Sequence, residues 1–457
     1  MLGKILAASV ALAFGSVAPA AMAQTPPACN TTPNAAFEPL QALATATIDG
    51  NYAAIRETIQ QRWAPIAPGA ADAALALSDL AALGPLRQLR LCNVRENVAV
   101  TILASELTGA ANQVAVRLDE SAQIDVAQIN LSVRPLDPHP SFTRDADRLN
   151  YLRAYIDRLT AGDAFSGVVL IGRNDEILFQ RAFGADITTG APLTIASRFN
   201  LASLNKIMTA TAILRLVQDN RLSLDDYVAE ILPAASSAPG FAAVQIKHLL
   251  SHTSGFSQDR SVLEFEPGQR FLYSNLGFRI LGEVIQARTG MAYIDYLQET
   301  VMAPTGMTAT GVFDAADREN VVPGYSRRLH PTDAIPETAT LQPNPYLQSI
   351  PGGAMGGLYS TAEDLFRFGS ALIGNRLISA DLVALMRAPR PELNAPAYGF
   401  GVMLRTDSDV WGHGGSLPGA DAAIEFYANG YFAVVIANRD DAGLPVLLVT
   451  RALFHRP

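Results

Sequence analysis

The sequence predicts an α+β protein in which an antiparallel sheet is flanked by helices, interrupted by a largely helical middle and preceded by a smaller α+β unit. Three observations carry this. Alternating apolar and polar residues surround short turns near residues 173 and 429, whereas the stretch between them follows helical spacing. A separate alternating stretch over 89–133 follows helical stripes between Phe37 and Trp63. The run "RPLDPHPSF", with three prolines, then divides the two parts.

Taken in order, the first 23 residues read as a secretory signal. Lys4 supplies the positive start, an apolar stretch runs from Ile5 towards Val17, and "AMA" ends at Ala23. That stretch is shorter than the roughly 18 to 20 residues needed to span a bilayer, and no later one is long enough. The expected locale is therefore periplasmic or secreted, with no transmembrane segment after cleavage. Residues 24–135 form the accessory α+β unit. Leu40, Leu43, Ile48, Tyr52, Ile55 and Ile59 mark helical stripes, and "NVAVTILASEL", "QVAVRLDE" and "AQIDVAQINLSV" read as antiparallel strands. By pattern alone this unit is similar to cystatin- or NTF2-like accessory domains. Residues 136–145 are the linker, and 146–457 the larger domain.

In that domain an amphipathic helix leads into "FSGVVLIGRNDEILFQRAFG", a hairpin turning at "RND". "DAAIEFYANGYFAVVIANRD" carries Asn429-Gly430 between two alternating runs, the strongest short hairpin signal. "GLPVLLVTRALFH" closes the chain as a helix. Strands at both ends with helices between them predict one sheet built from both ends of the domain.

Composition bounds the function. Hydrophobic residues make up 49 % and charged residues 17 %, as in a globular protein with a large core. A net charge of −9 argues against nucleic acid or anionic membrane as partners. The six histidines (His139, His248, His252, His330, His413, His455) show no metal-ligand spacing, so neither metal nor organic cofactor is expected. The two cysteines, Cys29 and Cys92, leave a single intramolecular pairing, and a disulfide fits an oxidising compartment.

The chain has only three lysines, Lys4, Lys206 and Lys247. Arg keeps its proton in proteins, whereas a buried Lys can lose it and act as a base. Lys206 follows Ser203 by three residues at the start of a helical run, so the two side chains share a face. A Ser there also has backbone N–H groups and the positive helix end close by, an arrangement suited to an oxyanion. A Ser-x-x-Lys match alone would arise roughly once by chance at ordinary residue usage. Downstream, however, come Tyr273-Ser274-Asn275 in "FLYSNLGF" and His413-Gly414-Gly415-Ser416 in "VWGHGGSLPG". Taken singly, Tyr273 reads as a half-buried aromatic, Asn275 as a helix cap and His413 as a strand histidine.

In this order the three motifs resemble those of the serine β-lactamase and penicillin-binding-protein superfamily, in particular its class C-like branch of β-lactamases, D-aminopeptidases, D,D-carboxypeptidases and esterases. "LSLDDYV", "IKHLLSHTSGF", "FEPGQRFLYSN" and "GGAMGGLYSTAEDLFRFG" agree with it. The resemblance covers about 145–457. It implies Ser203 as the acylated nucleophile, Lys206 as its base, alone or with Tyr273, and Tyr273 as proton donor to the leaving group. Asn275 would hold substrate and Lys206. The N–H groups of Ser203 and Ser416 would form the oxyanion hole, with Gly414 and Gly415 letting substrate approach an edge strand.

His413 departs from the Lys found here in many β-lactamases, and Gly414 lacks the hydroxyl that grips a substrate carboxylate. Small esters or D-amino-acid peptides are thus expected before β-lactams or peptidoglycan peptides. A receptor that keeps the fold without turnover is the rival class, and the intact Ser203, Lys206 and Tyr273 argue against it. His248 and His252 are expected to pack a helix end against its loop, and Lys247 to be a surface charge.

Overall fold

The computed structural model describes residues 31–64, 73, 77, 80–81, 85–135, 141–316, 320–330, 340–405, 409–440 and 442–455. The signal segment, Cys29 and residues 136–140 of the expected linker lie outside them. Two compact units part between Phe165 and Ser166.

In the N-terminal unit the helical stretch divides into α1 (Phe37–Ile48) and α2 (Tyr52–Arg62). Gly50 takes a positive φ of 62° between them, and the Asn51 side chain caps α2 by accepting the Ala54 N–H. Four strands follow as an antiparallel meander: β1 (Leu86–Arg95), β2 (Val98–Ser105), β3 (Ala110–Leu118) and β4 (Ile124–Pro135). Leu40, Leu43, Ile55 and Ile59 from the helices meet Leu103, Val114 and Ile124 from the sheet in one core. The alternation that predicts strands also supplies this inward face. Helix α3 (Asp145–Ala161) groups with this unit, and its Tyr155 hydroxyl donates to the Thr108 carbonyl at 2.8 Å. Cys92, on β1, is disulfide-bonded.

The second unit is built on a six-stranded antiparallel sheet. The predicted first hairpin is β5 (Gly167–Arg173) and β6 (Glu176–Phe183). The C-terminal strands are β7 (Met403–Leu404), β8 (Trp411–Leu417), β9 (Ala420–Phe426) and β10 (Tyr431–Ala437). Their order is β7-β8-β9-β10-β5-β6, so the sheet does draw on both ends of the domain. β10 pairs with β5 from Gly167↔Ala437 to Arg173↔Tyr431. The expected edge strand β8 is second from the edge. Two-residue β7 covers only Trp411 and Gly412, which leaves the His413–Leu417 stretch open on that side.

Register assigns the two faces. Phe432 of β10 stacks on Phe366 of helix α4 (Ala362–Ile373), with ring centroids 5.3 Å apart. The adjacent Tyr431 meets Phe454 of the last helix, α5 (Gly443–Phe454), at 5.4 Å. Successive strand residues point to opposite faces, so the two helices cover opposite sides and β8 to β10 are buried almost throughout. The middle of the domain is helical as predicted. Its central helix α6 (Lys206–Gln218; labelled after the sheet helices) buries all but three of its residues.

One buried ion pair ties α5 to the sheet. Arg451 Nε donates to Glu425 Oε2 at 2.7 Å, a second guanidinium nitrogen donates to Oε1, and Glu425 is 2 % exposed. Removing one partner strands the other charge. Arg451→Met is expected to destabilise by about 3–5 kcal/mol in urea unfolding, and adding Glu425→Leu to restore most of that loss.

Candidate active site

The chain enters the site through a strained turn. Ala202, just before Ser203, has φ 45°, a conformation non-glycine residues rarely hold unless their surroundings fix it. Its N–H donates to Asn200 Oδ1 at 2.8 Å, and its carbonyl accepts the Gly357 N–H at 2.9 Å. A Cβ on Gly356 would lie 2.5 Å from that carbonyl, so glycine is what lets the "GGAMGG" loop close over the turn. One turn of 3₁₀ helix, Ala202–Asn205, then carries Ser203 into α6.

Lys206 is fully buried, while Ser203 keeps 8 % of its surface exposed. The Nζ atom lies 2.9 Å from Ser203 Oγ and 2.7 Å from Asn275 Oδ1, and it also donates to the Met355 carbonyl. Among the described residues no carboxylate contacts it. Burial therefore drives the Lys206 pKa well below its ordinary value. Asn275 begins helix α7 (Asn275–Thr289), but the cap is its neighbour: the Ser274 hydroxyl accepts the Gly277 N–H at 2.9 Å. With the cap supplied by Ser274, the Asn275 amide is left for Lys206.

Tyr273 sets its ring 5.0 Å from Lys206 Nζ. Burial raises its pKa, and the nearby Ser203 hydroxyl partly offsets that. No partner for the Tyr273 hydroxyl meets hydrogen-bond geometry among the described residues. On the other side, β8 passes directly against the nucleophile turn. A Cβ at Gly415 would come 2.2 Å from the Leu201 carbonyl and 2.5 Å from the Ser203 nitrogen, so only glycine admits this approach. The strand segment Gly414-Gly415-Ser416 is thereby held beside the Ser203 N–H.

His413 lies within β8. It is 0 % exposed, and both ring nitrogens are engaged: Nδ1 with the Gly414 carbonyl at 2.6 Å and Nε2 with the Tyr398 hydroxyl at 2.9 Å. A carbonyl can only accept, so Nδ1 carries the hydrogen and Nε2 accepts from Tyr398. Burial, reinforced by nearby Lys206, pushes its pKa down to about 3, and the ring is neutral at physiological pH.

His248 does serve the helix end as expected, its Nδ1 accepting the Gln245 N–H at 3.1 Å. Lys247 is a surface charge paired with Asp225 at 2.6 Å. His252 is found elsewhere, against Tyr273 inside the site, with ring centroids 4.2 Å apart. Sequence reasoning also passed over Tyr398, the Met355 carbonyl, and Asn205, whose amide donates to the Gly353 carbonyl at 2.9 Å and accepts the Leu358 N–H. The only available signal was the glycine density of "GGAMGG" and "YGFG". Among the described residues no acidic, His or Cys cluster could hold a metal, and no helix is long and apolar enough to cross a membrane.

A strained serine turn, a buried lysine on its helix and a glycine strand alongside define the serine hydrolases of the β-lactamase fold. The chain belongs to the β-lactamase family, whose model matches residues 152–453. It is 29 % identical over 314 residues to a penicillin-binding protein of Bacillus subtilis (strain 168), covering 60 % of this chain and 68 % of that one. It is likewise 29 % identical over 337 residues to an esterase of Burkholderia gladioli, covering 60 % and 83 %. The solved structure of a penicillin-binding protein from Bacillus halodurans superposes with a TM-score of 0.57 at 26 % identity, covering 67 % of this chain and 99 % of that one.

The lowered histidine pKa values have a consequence for stability. Between about pH 3 and 6.5 the unfolded chain protonates His413 while the native one does not, so stability falls as pH drops through that window. His248, pushed down to about 4, acts in the same direction. Urea unfolding from pH 7 to 4 is expected to show this loss. His413→Gln should reduce the slope near pH 5 by up to ~1.4 kcal/mol per pH unit; an unchanged slope would place the folded pKa near 6.5.

Proposed function

We propose that this protein is a secreted serine hydrolase that cleaves small esters or D-amino-acid peptides through an acyl-enzyme on Ser203. The observation that carries the reading is the 2.9 Å approach of Lys206 Nζ to Ser203 Oγ, with the amine buried and without a counter-charge. A neutral amine has two N–H groups and one lone pair. Asn275 Oδ1 and the Met355 carbonyl can only accept, so they take the N–H groups and leave the lone pair for the Ser203 proton.

In the proposed sequence Lys206 removes that proton as Ser203 Oγ attacks the substrate carbonyl carbon. The oxyanion forms beside the backbone N–H groups of Ser203 and Ser416, fixed donors that need no reorganisation. Tyr273 passes a proton to the leaving oxygen or nitrogen, and the C–O or C–N bond breaks. Water then attacks the acyl-enzyme, with the same groups moving protons in reverse order. Export rests on the N-terminal segment alone.

The substrate preference rests on His413. A fixed cation beside β8 would favour a substrate carboxylate, and a neutral His413 with both nitrogens occupied offers none. A charge-assisted hydrogen bond is worth about 1.5–3 kcal/mol, or roughly tenfold or more in kcat/KM. Short-chain nitrophenyl esters are therefore expected to exceed a chromogenic cephalosporin and a D-Ala-D-Ala peptide by at least about tenfold. A cephalosporin turned over as fast would reverse the assignment in favour of a β-lactamase.

Mass mapping after a fluorophosphonate probe is expected to find its adduct on Ser203 and to lose it in Ser203→Ala. An unlabelled Ser203 in a folded protein would end the proposal. Lys206→Met should lower kcat/KM by about 10²-fold or more, as expected for a lost general base.

A further inference from the structure

His252 is a buried titratable group that the proposed mechanism leaves without a task. It has a positive φ of 58°, one of the few non-glycine residues to do so, and 0 % exposure. Its Nδ1 accepts the Ser274 N–H at 3.0 Å. This fixes the hydrogen on Nε2, and that N–H has no acceptor among the described residues. An unsatisfied buried donor is destabilising, so neither the backbone conformation nor the polar ring is favoured by stability alone.

The contacts of the ring are concentrated on one motif. Tyr273 lies against it at 4.2 Å with the planes 35° apart, and Phe278 of α7 at 5.1 Å. Tyr398, the partner of His413, lies at 4.8 Å, and the half-exposed Phe271 at 5.8 Å. One side chain thus meets the ring of Tyr273 and the backbone of Ser274, and the next residue is Asn275. The Ser203 hydroxyl lies near the Tyr273 hydroxyl, but among the described residues no group holds it in hydrogen-bond geometry.

We infer that His252 is the positioning residue for Tyr273: packed against the phenol at a tilt and hydrogen-bonded to the following backbone N–H, it aims the hydroxyl at the leaving group. The inference rests on the reading of Tyr273 as proton donor. It makes a prediction that a purely structural histidine would not. Departure of an alkoxide requires the Tyr273 proton, whereas nitrophenolate leaves without one. Misplacing the hydroxyl therefore slows only the first.

The test uses two esters with the same acyl group, one ethyl and one p-nitrophenyl, on the full chain. His252→Asn keeps a short acceptor and suits the positive φ but lacks the ring. His252→Phe keeps the ring and lacks the acceptor. Both are expected to lower kcat/KM for the ethyl ester by about tenfold or more, within the range of general acid catalysis, and to leave the nitrophenyl ester within about threefold. Tyr273→Phe is the reference. If it splits the two esters and the His252 variants do not, the inference fails. If Tyr273→Phe itself lowers both esters equally, the proton-donor reading fails first. An equal loss on both esters in His252→Asn, with the Ser203 fluorophosphonate adduct retained, would assign His252 to scaffolding alone.

Discussion

A single amine buried without a counter-ion is the constraint around which the second unit is arranged. Taking an ammonium out of water is far more costly than burying an amine, so the fold selects the neutral form of Lys206 by withholding any carboxylate. The withholding has to be complete, and the neighbours satisfy that condition. Two carbonyl-type oxygens, a hydroxyl and the faces of Tyr273 and Phe278 surround Nζ. They come from three parts of the chain: the Ser203 turn, residues 273–278 at the start of α7, and the loop ending at Gly357. The strain at Ala202 and the close glycine contacts at Gly356 and Gly415 follow from drawing these parts together around one atom.

The same economy of charge extends across the site. His413 lies on β8. It is neutralised twice over, by burial and by a tautomer locked between the Gly414 carbonyl and the Tyr398 hydroxyl. A permanent cation at that position would lower the Lys206 pKa further but would also draw anionic ligands towards the nucleophile. With His413 uncharged, the polarity beside β8 comes from oriented dipoles.

The parts of the fold set by local chemistry were legible in the sequence. Asn429-Gly430 and the Asn174 turn mark the two hairpins because such turns demand residues tolerant of positive φ. Ser203, Lys206, Tyr273 and Asn275 could be picked out because side-chain chemistry leaves a residue-type signature. Other features leave none. The Met355 oxygen is backbone, so any residue at 355 would supply it. Tyr398 is one aromatic among many until its pairing with His413 is seen. His252 was read as a structural histidine, since nothing in "SHTSGF" says that the ring turns towards Tyr273. The division of α1 from α2 at Gly50 escaped for another reason: apolar stripes continue across it, and periodicity does not register one glycine in the left-handed region.

The pairing of β5 with β10 also sets an order of assembly. During synthesis the nucleophile turn and α6 emerge first, whereas the strand beside them, β8, and the partner of β5 follow only after the helical middle of the domain. Such long-range pairing is slow, because the intervening chain must be closed into a loop before the contact repays it. The first hairpin consequently spends translation with an unpaired apolar edge, the kind of surface that chaperones shield. The surroundings of Ser203 are therefore incomplete until β8 has been made.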